Sequence, residues 1–192
     1  MAAKLGEVQS SIPKATVQTL MLANKVLRET QEHHDVSIQF LPIDPGVLTF
    51  VSFGDASFAS SKSLSSHQGA LICATNGDLL ANREAPLSPL SWSSKKIPRV
   101  VRSTLSAEAY AMSKAVDMLG WMRALWGTVH VPSFQWQRPE EGYRQLNRAA
   151  IITDCKSLYD LVTRLAMPSC EEFRTTLEVL LIKQRCAENT TF

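Results

Sequence analysis

Residues 106–127, SAEAYAMSKAVDMLGWMRALWG, decide how the rest of the chain is interpreted. Apolar side chains recur there at intervals of three and four residues: Ala109, Met112, Ala115, Val116, Leu119 and Met122. This spacing predicts an amphipathic helix about 30 Å long, with Ser106 as its N-cap and Gly127 just beyond its end.

The residues before this helix have the period of β-strands. Aromatic and β-branched residues predict strands at 48–58 and 68–76, and a third at about 90–94. Asn76-Gly77 is a turn signal, and the connections are short. The three strands therefore predict an antiparallel meander.

After the long helix, RAAIITDCKSLYDLVTRL (148–165) predicts a short strand that continues into a helix at Asp154 and Cys155. Residues 171–186 predict a further amphipathic helix. Its inward positions are expected to be Phe173, Leu177, Leu180 and Leu181. The fold class is thus α/β, with a mixed sheet made of the meander and one parallel crossover strand, flanked by helices.

Residues 1–47 are predicted to form a lead-in, separate from a main domain at 48–192. A helical stripe over 14–32 begins after Pro13, and alternation in VSIQFLPI (36–43) indicates a short strand.

The composition is that of a globular protein with no strong electrostatic signature. The chain has 192 residues, of which 45% are hydrophobic and 20% charged, and a net charge of +2 that does not by itself demand nucleic acid. The four cysteines have neither CxxC nor zinc-finger spacing, which favours reduced thiols. No signal peptide or bilayer-length apolar run is evident. We expect an intracellular protein, cytoplasmic or nuclear, with no membrane partner.

Three acidic residues stand where the predicted topology brings separate segments together. Asp55 interrupts the first strand, Glu108 opens the long helix, and Asp154 ends the crossover strand. Two like charges 4 Å apart repel by about 1–4 kcal/mol at high effective dielectric, so a divalent cation would stabilise such a cluster. Oxygen ligands favour Mg²⁺ or Mn²⁺, and a pair of ions would activate water for phosphodiester hydrolysis.

Each acid also has a purely structural interpretation at this stage. Asp55 could belong to a turn at the end of its strand. Glu108 could stabilise the helix dipole, and Asp154 could be the N-cap of the following helix.

Four segments in register resemble the ribonuclease H domain of copia-type LTR retrotransposon Pol polyproteins. They are SFGDASFA (52–59), LSWSSKK (90–96), STLSAEAYAMSKAV (103–116) and ITDCKSLYDLV (152–162). The lead-in TVQTLMLANKVLRET (16–30) is similar to the segment that connects reverse transcriptase to that domain.

The resemblance implies a ribonuclease H-like five-stranded mixed sheet and metal-dependent endonucleolytic cleavage of the RNA strand of RNA–DNA hybrids. It places the catalytic and metal-binding acids on Asp55, Glu108 and Asp154. The family's final strand, final helix and fourth acid have no counterpart here, so a two-metal site would be incomplete. The alternative is a catalytically impaired transposon remnant that folds and at most binds nucleic acid.

A basic segment precedes the long helix and is a candidate surface for an RNA–DNA hybrid. Its cations are Lys95, Lys96, Arg99 and Arg102, and the Ser94 hydroxyl could add a contact to phosphate. Trp92 could stack on a base or sugar; the alternative is a solvated basic loop with Trp92 in the core. The resemblance also implies the reverse transcriptase portion of a polyprotein as a partner.

Overall fold

The computed structural model describes residues 2–59, 65–187 and 190–191. Its strands are β1 (Leu48–Ser57), β2 (His67–Asn76), β3 (Ser88–Lys96), β4 (Ala149–Ile152) and β5 (Thr190–Thr191). Its helices are α1 (Ala2–Ser11), α2 (Val17–Glu32), α3 (Thr104–His130), α4 (Pro139–Tyr143), α5 (Lys156–Thr163) and α6 (Phe173–Ala187). Within these residues, no helix combines the length and the apolar character that crossing a membrane requires.

The strands form one mixed sheet in the order β3-β2-β1-β4-β5. β1 pairs antiparallel with β2, and β2 pairs antiparallel with β3. β4 pairs parallel with β1, after α3 has crossed the sheet. This confirms the predicted α/β arrangement, in which an antiparallel meander and a parallel crossover strand form a mixed sheet flanked by helices. The described residues contain no full-length final strand, although the two residues of β5 extend the sheet beside β4.

The main hydrophobic core lies between one face of the sheet and the helices α3, α5 and α6. Buried residues from each element meet there, including Phe50, Ile72, Met112, Leu158 and Ile182. On the other face, which we call the open face, Val51, Cys73 and Ala150 form a smaller buried cluster. Its described hydrophobic neighbours come from strands and from the 3-10 turn Leu79–Ala81, not from α3, α5 or α6.

The ends of α3 differ from the prediction. Its N-cap is Ser103, not Ser106, because Ser103 has extended backbone angles and its Oγ accepts a hydrogen bond from the Ser106 amide. The helix also continues through Gly127 to His130. Gly127 is needed for close packing, since a Cβ there would lie 2.6 Å from the Phe134 ring.

The buried face of α6 is also different from the predicted one. Thr175, Val179 and Ile182 are buried, whereas Phe173 is 72% exposed and Leu177 is 49% exposed. The buried positions follow the same helical spacing as the predicted set but lie on another side of the helix. Contact with α3 and α5, rather than the largest apolar side chains, sets the inward side.

The lead-in contains two helices and no strand. Thr16 caps α2 through a reciprocal capping box with Thr19. The strand predicted at 36–43 is wrong, because the segment pairs with no described strand and exposes Val36, Ile38 and Phe40. It is tied to β3 instead, since the Leu41 amide donates to Ser88 Oγ at 2.8 Å.

α1 lies against β3, the first strand of the sheet. A Cβ at Gly6 would lie 3.0 Å from the backbone oxygen of Ser94, so glycine allows this close approach. α1 therefore packs closely on the backbone of β3, the strand at the end of the sheet.

We predict that Gly54→Ala destabilises the protein by about 1–3 kcal/mol, because α3 packs directly on this residue. A Cβ at Gly54 would lie 3.0 Å from Met112 Cα and 3.2 Å from Ala115 Cβ. Chemical denaturation of Gly54→Ala measures the loss. Gly77→Ala is the matched control, since nothing lies within 4 Å of a Cβ there. Equal midpoints for the two variants would contradict this account of the contact between α3 and β1.

Candidate metal centre

The candidate site lies where the parallel strands β1 and β4 separate. Their pairing runs from Val51 opposite Ala150 to Phe53 opposite Ile152, and then β4 ends. β1 is followed by β2 on one side, while β4 lies on the other. Carboxyl ends of neighbouring strands at such a switch in strand order form a crevice that commonly binds ligands.

Asp55 and Asp154 occupy equivalent positions beside this crevice. Phe53 and Ile152 are the last residues that pair β1 with β4. Asp55 and Asp154 each lie two residues beyond that pair, and both are exposed. Asp55 is paired with Gly69 inside the antiparallel ladder, which excludes a strand-end turn. Asp154 is not a helix cap, because the N-cap of α5 is Cys155.

Glu108 approaches the crevice from α3. It lies beyond the first turn of α3 and is only 6% exposed, which is unusual for a carboxylate that merely complements the helix dipole. The backbone amide of Ala56 donates a hydrogen bond to its carboxylate. Its Oε2 atom is buried and has no hydrogen-bond partner. A buried carboxylate oxygen without a partner is costly unless a proton or a cation satisfies it.

The three acids form one cluster. One carboxylate oxygen from each of Asp55, Glu108 and Asp154 lies within 4.8 Å of the other two. Burial, together with the nearby charges of Asp55 and Asp154, raises the pKa of Glu108 to about 7, against the lowering effect of the Ala56 amide. The crossover topology thus brings together the carboxylates that the sequence suggested.

The donor set fits a divalent cation. All three ligands are carboxylate oxygens. Asp55 and Asp154 are exposed, whereas Glu108 is buried and its Oε2 atom has no hydrogen-bond partner. Hard cations such as Mg²⁺ and Mn²⁺ prefer this chemistry. The triad could therefore hold a metal ion.

The predicted basic residues divide into two groups. Lys95, Lys96 and Arg102 are exposed. Arg99 is engaged within the protein: its Nη2 lies 3.4 Å from Glu178 Oε1, and its guanidinium lies 4.7 Å from the centre of the Tyr110 ring.

The remaining candidates of this region lie on β3. Ser94 is half-buried and pairs with Gly69 of β2, which in turn pairs with Asp55. Trp92 is 56% exposed, so its placement in the core, one of the two interpretations of the sequence, is wrong.

Sequence reasoning missed the contacts that α6 and the residue preceding it make with α3 and the basic segment. Ser106 is buried, and its Oγ donates to Glu172 Oε2 at 2.7 Å, so Ser106 is not available for substrate. Glu178 on α6 forms the ion pair with Arg99 described above. No local pattern could reveal these pairs, because the partners are 66 and 79 residues apart in the chain.

Comparison with known proteins gives distant structural similarities. No family model and no curated protein matches the chain. A crystal structure of the prototype foamy virus protease-reverse transcriptase matches with 12% identity and a TM-score of 0.41, over 82% of this chain and 19% of that one. The NurA nuclease from Sulfolobus solfataricus matches with 10% identity and a TM-score of 0.36, over 96% of this chain and 58% of that one. The chain thus spans less than two thirds of either protein.

We predict that the metal-free protein loses stability as the pH rises from about 4.5 to about 7. The folded state holds the Glu108 proton up to about pH 7, whereas an unfolded chain releases it near the ordinary value of 4.5. Folding therefore binds a proton in this window, and stability declines through it on the order of 2–3 kcal/mol before levelling. Urea denaturation in EDTA across the pH range measures the decline. Glu108→Gln should remove most of it, and an unchanged slope in that variant would contradict the assignment.

We also predict that Mn²⁺ raises the melting temperature, because a ligand that binds only the folded state stabilises it. At a hundredfold excess over Kd the stabilisation is about 2.7 kcal/mol. Asp55→Asn and Asp154→Asn should each abolish the rise. Asp117→Asn is the control, since Asp117 is exposed on α3 and pairs with Lys114. A rise that persists in both triad variants would place the ion elsewhere.

Proposed function

We propose that this chain is a ribonuclease H-like domain that hydrolyses the RNA strand of RNA–DNA hybrids endonucleolytically with a divalent metal. The observation that carries the proposal is the cluster of Asp55, Glu108 and Asp154 within 4.8 Å, with a buried, unpartnered Glu108 oxygen. Phosphodiester hydrolysis is the reaction for which such an all-carboxylate cluster is well suited.

In this proposal the three carboxylates bind Mg²⁺ or Mn²⁺ and are the catalytic residues. A bound divalent cation supplies Lewis acidity, which favours ionised water and offsets charge on the phosphodiester. Glu108 must release its proton before it can act as a ligand, so cation binding is coupled to proton release. The Ala56 amide holds the Glu108 carboxylate towards Asp55 and Asp154.

The exposed cations Lys95, Lys96 and Arg102 support a nucleic-acid partner. Cations on a protein surface fix the position of a nucleic acid through its phosphates without reading its sequence. Arg99 has a different part in this proposal. Its contacts with Glu178 and Tyr110 hold the basic segment against α6 and α3 and so position the other cations.

The copia-type retrotransposon origin and the reverse transcriptase portion of a Pol polyprotein as partner belong to the same proposal. They rest on the four sequence segments in register and on the lead-in.

The alternative function is that of a catalytically impaired remnant that binds nucleic acid without cleaving it. It is supported by the number of acids: in the described part of the chain, three carboxylates meet at the crevice, without a fourth. The two functions differ in turnover, not in the fold.

The test is cleavage of a labelled RNA–DNA hybrid by the purified protein in Mg²⁺ and in Mn²⁺. We expect RNA cleavage that Glu108→Gln lowers by at least about a hundredfold, since it removes a ligand of the catalytic cation. Asp117→Asn is the matched acidic control and should cleave like the unmodified protein. Absence of cleavage in a protein that Mn²⁺ stabilises would favour the remnant, and equal activity of Glu108→Gln would rule out this metal centre as the active site.

A further inference from the structure

The open face of the sheet is continuous with the carboxylate cluster. Gly54 lies against Met112 of α3, and Ala56 packs with the residues around Ala107. Because successive residues of a strand point to opposite faces, Asp55 points to the open face.

The strand register shows which residues lie beside Asp55 on the neighbouring strands. Asp55 pairs with Gly69, and Gly69 pairs with Ser94, so the three form one row on the open face. Neighbouring strands are about 4.8 Å apart, which places Ser94 about 10 Å from Asp55. The next row along the strands is Phe53, Leu71 and Trp92.

Gly69 lies in the middle of the first row. Neither its backbone conformation nor the packing around it requires a glycine. Gly69 does not have a positive φ angle. A Cβ at this position would meet only the Asp55 backbone oxygen, at 3.8 Å. Glycine inside a strand often marks a bulge, a tight bend or a place where another molecule approaches the backbone, and the strand register shows no bulge at Gly69.

The far side of this row has groups that suit a nucleic-acid strand. Trp92 is 56% exposed and flanks the row on β3. Lys96 is exposed two residues beyond Ser94, and therefore on the same face. A nucleic-acid strand combines flat apolar bases with regularly spaced phosphates, which an exposed indole and an ammonium group bind together.

We propose that Gly69 forms the floor of a substrate groove that runs from the carboxylate cluster across β2 to Trp92 and Lys96 on β3. The occupant is a strand of the RNA–DNA hybrid. Because Gly69 has no side chain, it leaves room for the nucleic-acid strand. Trp92 stacks on a base or sugar, and Lys96 contacts a phosphate. This inference rests on the proposed function and adds to it the path of the substrate.

The test is the affinity for a fluorescent RNA–DNA hybrid, measured by anisotropy in the Glu108→Gln background so that no turnover interferes. Gly69→Val fills the groove with a side chain that suits a strand, and we expect it to raise Kd at least about tenfold. Trp92→Ala should raise Kd about fivefold to a hundredfold. Gly77→Val is the matched control and should leave Kd unchanged, because nothing lies within 4 Å of a Cβ there.

Retention of Mn²⁺ stabilisation by Gly69→Val with Glu108 restored would show that the carboxylate cluster is intact. If Gly69→Val binds the hybrid as tightly as Gly77→Val, the groove is wrong, whereas the nuclease proposal still stands on cleavage. If Gly69→Val fails to fold, Gly69→Ala and Trp92→Ala decide, and unchanged Kd in both overturns the groove. Failure of the Glu108→Gln protein to bind the hybrid also overturns the groove. The rise of the melting temperature in Mn²⁺ then tests the metal centre independently.

Discussion

Repulsion among three carboxylates is the constraint on which the arrangement of this protein depends. Asp55, Glu108 and Asp154 meet within 4.8 Å, and one of them is buried. Two like charges about 4 Å apart repel by about 1–4 kcal/mol in a solvated site unless a proton or cation intervenes. The packing of α3 on Gly54 and the early end of β4 together hold the acids in place despite this cost. Such an arrangement is more readily understood as a binding site than as a contribution to stability.

The sequence predicted the sheet and the meeting of the acids because both follow from strong, redundant patterns. Aromatic and β-branched residues located β1, β2 and part of β3, and the change to helical periodicity located α3. Once a parallel strand must follow a crossover, residues near the carboxyl ends of β1 and β4 become neighbours. Asp55 and Asp154 could therefore be paired without any knowledge of side-chain contacts.

Predictions from the sequence were wrong where two local structures were equally compatible with the residues and tertiary contacts selected one of them. Both Ser103 and Ser106 can cap a helix, and the extended backbone at Ser103 decides between them. On α6 two helical stripes are available, and the neighbours of Val179 select the less apolar one. The alternating segment 36–43 has the pattern of a strand but no strand beside it. The groove at Gly69 also depends on register across three strands, which the sequence alone does not give.

The position of α1 has a consequence for how copies of this protein behave in concentrated solution. β3 is an edge strand, and α1 lies against it with Gly6 at the backbone of Ser94. Unpaired amides and carbonyls on a sheet edge are a template on which another chain can add a strand. Contact of α1 with β3 hinders such pairing, so a chain that begins at Leu48 would leave the backbone of this edge strand more accessible to another copy.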